Sequence, residues 1–187
     1  MAENKVQFGL KNVHYAVISY SEQGVISFGT PKAVPGAVNL SLSAQGDVTP
    51  FYADNITYYQ SIANNGYSGD LEMARFPDEM LQDIWGYTIG STSKVLTENS
   101  GVEPKEFALL FQISGDADEQ YYTLYRCTGT RPAVASATTT ATKEPQTQTS
   151  TISAVPLANG NVMARTTNDT PTATKTAWFN SVFVESP

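Results

Sequence analysis

Phe107-Ala-Leu-Leu-Phe-Gln-Ile113, then Ser114-Gly-Asp-Ala-Asp-Glu119, then Tyr121-Tyr-Thr-Leu-Tyr-Arg-Cys127 carries the fold class in its alternation. Phe107, Leu109, Phe111 and Ile113 take every second position, and so do Tyr121, Thr123, Tyr125 and Cys127. Successive side chains of a strand point to opposite faces, so this period predicts two strands, and the polar segment between them a hairpin turn. The same period recurs on both sides. Val38, Leu40, Leu42 and Ala44 alternate with Asn39, Ser41, Ser43 and Gln45, which predicts a half-buried strand. Residues 13–20 and 178–184 read as strands near the two ends. Residues 152–158 and 161–167 flank Asn159-Gly160. That pair readily takes the positive φ of a two-residue turn, so a second hairpin is expected there. The sheets should be antiparallel and mostly local.

One segment breaks the period. Pro77 suits a first helical position, Asp78 and Glu79 the positive end of a helix dipole, and Gly86 a stop. Between them Met80, Leu81, Ile84 and Trp85 form an apolar stripe at helical spacing, read as the face of one helix covering a sheet. The expected class is mainly β: an antiparallel β-sandwich or half-barrel with one flanking α-helix. A chain of 187 residues suits one buried core, so 1–187 reads as a single domain. Within it, an N-terminal arm is expected over about 1–11 and mobile loops over about 46–67, 88–106 and 133–148.

Chemistry is sparse. With one histidine, His14, and one cysteine, Cys127, no multi-histidine or zinc constellation can form. A Cys127–His14 pair is formally open, against the plainer reading of a core cysteine and a hydrogen-bonded strand histidine. There is no Gly-x-Ser-x-Gly elbow, and Asn64-Asn65-Gly66 and Ser68-Gly69-Asp70 are turn chemistry without a phosphate-loop lysine. Asp116, Asp118 and Glu119 lack the spacing of a calcium loop and read as a charged hairpin tip. Asp70 and Glu72 share one strand face, yet nothing else marks them as a glycosidase pair. No enzyme, metal or cofactor is expected. A net charge of −7 without a basic cluster argues against sequence-independent nucleic-acid or anionic-membrane binding. No apolar run reaches membrane-spanning length, and residues 1–10 lack a signal peptide's apolar core, so assembly in a reducing cytoplasm is expected.

Two features remain. Phe51, Tyr52, Tyr58, Tyr59 and Tyr67 lie in one polar, turn-rich stretch. They either anchor a subunit interface or close one end of the sandwich. Asp47, Asp54, Asp70, Glu72, Asp78, Glu79 and Asp83 share a stretch with Arg75 as its one base. They form either a solvated acidic face or a surface that repels another polyanion.

Several stretches, in order, then resemble a known family. They are residues 12–16 (Asn-Val-His-Tyr-Ala), 28–42, 51–55 (Phe-Tyr-Ala-Asp-Asn), 64–74, 107–111, 127–132 (Cys-Thr-Gly-Thr-Arg-Pro), 144–147 and the 156–160 turn. The chain resembles the major tail protein, or tail-tube protein, family of long-tailed bacteriophages (siphophages) of Gram-positive bacteria. Residues 88–102 and 114–120 match least, as variable loops should. The resemblance implies a tail-tube fold and stacked homohexameric rings around a channel through which DNA passes without specific binding. It implies a tape-measure protein and tail terminator or baseplate proteins as partners, the virion tail as location, and no catalytic residues. Asp70 and Glu72 would then be candidates for the lumen. The competing reading is a virion or surface β-sandwich adhesin that holds carbohydrate on the aromatics between Tyr52 and Tyr67.

Overall fold

The computed structural model of the chain describes residues 4–139 and 144–185. Strand makes up 46% and helix 8%, well above the ~20–25% strand of an average globular domain. The first part runs β1 (Gln7–Tyr20), β2 (Ile26–Phe28), β3 (Lys32–Ala33), β4 (Ala37–Gln45), β5 (Val48–Ala53), β6 (Ile56–Ile62) and β7 (Gly66–Met73). Next come α1 (Asp78–Trp85), β8 (Thr88–Ile89), β9 (Leu96–Thr97), β10 (Phe107–Gly115) and β11 (Gln120–Gly129). β12 (Gln148–Ala154), β13 (Met163–Arg165) and α2 (Thr172–Ala177) finish it.

Nine strands form one antiparallel sheet in the order β2-β1-β10-β11-β12-β7-β4, with β3 added to β1 and β13 to β11. The hairpin expected at 107–127 is β10–β11, in which Phe107 faces Cys127 and Ile113 faces Gln120. It lies mid-sheet and is buried on both sides. Phe107, Leu109 and Phe111 join the main core with Val13, Tyr15, Leu71, Met73 and Ile152, while Ala108 and Leu110 meet Trp178 on the other face. The sheet curls until β1 and β4 approach each other, giving a half-barrel around the main core.

The helix stripe does what its spacing predicts. Met80, Ile84 and Trp85 are buried, and Leu81 packs half-buried against the same core. Pro77 sits just before the first turn rather than in it, and Gly86 ends the helix at φ +68°. A side chain there would be strained, and its Cβ would fall 2.3 Å from Val102 Cγ1. The Trp85 indole N–H donates to the Gly129 carbonyl at 2.9 Å, and Phe76 meets the indole edge-on. On the outer side, Lys32 bridges Glu79 at 2.8 Å and Asp83 at 2.6 Å. Asp83 also accepts from the Tyr15 hydroxyl at 2.8 Å. Helix α1 therefore closes one end of the half-barrel.

Three expectations need correction. Asn159-Gly160 does reverse the chain, with Gly160 at φ +85°, but β12 and β13 do not pair with each other. Both run along β11: Ala154 opposite Cys127, then Met163 opposite Leu124. Residues 155–162 are an excursion from one edge, because β11 is long enough to hold both strands. Residues 178–184 are not a strand. They follow the short helix α2, which the one-helix expectation omitted, and lay Trp178, Phe179, Val182 and Phe183 over the second face of the sheet. Finally, the loop expected over 46–67 is mostly β5 and β6, paired from Val48–Ile62 to Ala53–Ile56. Of the N-terminal arm, residues from Gln7 onward already pair with β10, while residues 1–3 lie outside the described residues. The 133–148 expectation also includes 140–143, which lie outside them. Among the described residues, no helix is long and apolar enough to cross a membrane.

Candidate assembly surfaces

The β5–β6 hairpin is an arm. Its ladder continues that of β4–β7: Gln45 faces Gly66, Asn65 N–H donates to Gln45 O at 2.8 Å, and Ala63 N–H to Asp47 O at 3.1 Å. Gly46 permits this approach, because a Cβ there would fall only 1.9 Å from Ala63 O. Val, Thr, Phe, Tyr and Ile, side chains that favour extended backbone, hold most positions of both strands. Asp54 and Asn55 close the tip at φ +52° and +61°, the left-handed geometry of a two-residue hairpin turn.

Among the described residues, nothing of the chain's own covers this arm. Phe51 is 60% exposed, Tyr58 71% and Ile62 76%, and Val48, Tyr52, Ile56 and Tyr59 are exposed with them. Large exposed apolar patches on soluble monomers usually have an interaction to explain them. The structure brings together four of the five aromatics read as interface candidates: Phe51, Tyr52, Tyr58 and Tyr59. Tyr67 stands apart on β7, half-buried against the core. The four do not close the sandwich. Residue types had also left out the arm's aliphatics, Val48, Ile56 and Ile62; two β-favouring runs around Asp54-Asn55 were their signal.

The second surface is a polar sheet face. On β7, Leu71 and Met73 enter the core, so Asp70 and Glu72 point away from it. Asp70 lies between Ser41 and Thr151, and Glu72 between Asn39 and Thr149. Thr151 donates its hydroxyl to Asp70 at 2.8 Å, and Thr147 donates to Glu72. Strands β4, β7 and β12 contain no lysine or arginine. The rest of the acidic stretch scatters. Asp47 and Asp54 sit at the base and tip of the arm, Asp78 pairs with Arg75, and Glu79 and Asp83 hold Lys32. It is not one face.

The geometry also bears on the chemistry considered from composition. Cys127 lies in the main core, while His14 stacks on Phe179 on the opposite side of the sheet, so the two cannot act as a pair. Burial pushes the Cys127 thiol up to about 12, which keeps it protonated. Asp116 accepts from Lys5 N–H at 2.8 Å, Asp118 is bridged by Lys175, and Glu119 by Lys11 at 2.7 Å. That tip is a clasp for the N-terminal segment and α2. Among the described residues, no group of three potential metal ligands forms.

Three carboxylates carry clear electrostatic shifts: Asp83, Glu106 and, at the hairpin tip, Glu119, where burial is outweighed by hydrogen bonds from Lys11 and Gln112 that hold the carboxyl low. Burial works against the charge of Asp83, yet hydrogen bonds from Lys32 and Tyr15 outweigh it and hold the carboxyl below its usual range. Glu106 behaves alike: burial opposes its charge, and Arg126 and Tyr20 prevail. Neither a family model nor a curated protein matches the chain.

Proposed function

We propose that the chain is the structural subunit of a bacteriophage tail tube, which assembles with copies of itself into stacked, hexameric rings around a channel for DNA. The observation that carries this reading is the arm: residues 48–62 expose aromatic and aliphatic side chains and contribute nothing to their own core. A chain that holds such a surface on one side and offers different surfaces elsewhere makes heterologous contacts, which close into rings or extend as filaments. The polar face of β4, β7 and β12 suits the lining of the channel. Its hydroxyls, amides and two carboxylates offer DNA no cation to hold. Tape-measure, terminator and baseplate proteins would be its partners, and the virion tail its location.

The arm's exposed aromatics also suit a carbohydrate-binding adhesin. Val48, Ile56 and Ile62 favour a protein partner, since sugar recognition has no use for three exposed aliphatics beside the rings. Negative-stain images of the concentrated protein distinguish the two readings. Rings or tubes are expected; monomers under all conditions, tail-assembly extract included, contradict the proposal. The lining has its own test in Asp70→Lys combined with Glu72→Lys. Tubes of this variant should retain DNA at low salt and release it steeply as salt rises. Unchanged passage places that face outside the channel.

A further inference from the structure

Helix α1 closes one end of the half-barrel, and the other end is open. There β1 and β4 come close without pairing. The first part of β1, from Gln7 to Lys11, pairs with β10, and β4 pairs with β7; neither has a second strand partner among the described residues. Between them lies a groove of about 550 Å³, walled by Leu10, Leu40 and Leu42 and floored by Phe111, Tyr122 and Leu124. At Gln7 it adjoins a polar cavity of about 910 Å³ lined by Lys5 and Arg165 together with Asp169. The Arg165 guanidinium sits 5.9 Å from the Tyr122 ring centre and makes no salt bridge among the described residues.

We propose that this groove seats the β5–β6 arm of a second copy of the chain. The proposal rests on the tube reading and names the contact that would build it. The first ground is chemical match: the arm carries uncovered Phe, Tyr, Val and Ile side chains, and the groove is lined mostly by apolar residues, with Leu10, Leu40 and Leu42 half-buried at its walls. Docking removes the arm's exposed apolar side chains from water against the half-buried leucines of the groove. The second ground is charge. Asp54, at the tip, is the one charged residue between 48 and 62. The polar end of the trough carries two cations against one carboxylate, so an arm entering tip-first brings its charge to the complementary end.

The third ground decides whose arm it is. The arm's ladder is continuous with β4–β7 through the Asn65–Gln45 and Ala63–Asp47 hydrogen bonds. Bending back into its own groove would break that ladder at its base. Docking on a neighbour keeps it intact. Each copy then gives an arm and receives one through different surfaces, so the contact propagates.

The test replaces Tyr58 with the photo-reactive residue benzoylphenylalanine in the full chain. Equal amounts of nitrogen-15-labelled and unlabelled protein are mixed and concentrated until negative stain shows particles. The sample is irradiated and the linked peptides are read by mass spectrometry. Links that mix the two isotopes and join residue 58 to strands β1 or β4, or to Met163, are expected, at about tenfold the yield in dilute protein. Val38→Glu, on the half-exposed rim of the groove, should cut that yield about tenfold while leaving the circular dichroism spectrum unchanged. Particles whose links run from arm to arm, stay within one chain, or miss the groove overturn the proposal and leave the tube reading standing. Absence of particles overturns both.

Discussion

Trp85 and Tyr58 are large aromatic side chains of one chain with opposite fates. Trp85, the last residue of α1, is at 0% exposure with its indole N–H bonded to Gly129, while Tyr58 projects from the arm at 71%. The α1 end completes its burial within the chain. The arm end does not: its side chains have each other across two strands and otherwise water. Hydrophobic burial is roughly proportional to the apolar area removed from water, so the two ends contribute to different equilibria. The α1 end stabilises the fold of a single copy. On the proposed function, the arm's contribution comes from a contact with another copy of the chain.

This contrast breaks most readily at Trp85. Trp85→Ala should cost about 3–5 kcal/mol in denaturant unfolding, because it leaves a cavity and strips the Gly129 carbonyl of its donor. A loss below ~1 kcal/mol, the scale of an ordinary surface change, would mean that α1 does not close the core.

Acid should act on the same side of the comparison. Asp83 ties α1 to Lys32 and Tyr15, and Glu106 ties β10 to Arg126 and Tyr20. Both carboxyls are held below their unfolded values. Their contribution is therefore fully present above the ordinary carboxylate range of about 4 and is lost as pH falls below it, through the folded values. Thermal unfolding followed from neutral pH downward should show the midpoint falling in that acidic window. Asp83→Asn combined with Glu106→Gln should flatten the fall. An equally steep decline in the double variant would assign it to other groups.

The smallest effect on the single chain belongs to the arm. Tyr58→Ser with Tyr59→Ser should change unfolding stability by no more than about 0.5 kcal/mol each, as exposed positions do, while particle formation is lost. A multi-kcal loss in the dilute chain would show that the arm is already covered.

What was legible in the sequence follows the same division. Alternation revealed β10 because Phe107, Leu109 and Phe111 face the main core; in β11 it marked a strand but not its phase, since Tyr122, Leu124 and Cys127 face that core while Tyr121 packs on the other side. The α1 stripe was legible because one packed face and its punctuation, Pro77 and Gly86, are local. Alternation could not show that Ala108 and Leu110 are buried too, since that depends on a distant segment, Trp178 to Phe183, lying over them. That segment was misread as a strand, although Trp178, Phe179, Val182 and Phe183 recur at helical rather than alternating spacing. Asn159-Gly160 marked a real turn, but a turn does not say which strands pair, and β11 drew both flanks to itself. The arm was partly legible, because its aromatics stood out within polar sequence. Its protrusion was not: the strand pattern is the same whether a neighbour is the chain itself or another copy.

The central claim is that the arm is buried by assembly rather than by folding. Amide hydrogen exchange of residues 48–62, compared between dilute chain and assembled particles, tests this most directly. The α1 end should be protected in both states, since its burial is complete in one copy. The account predicts fast exchange along the arm in the dilute chain and strong protection in the particle. Equal exchange of the arm in both states would contradict it.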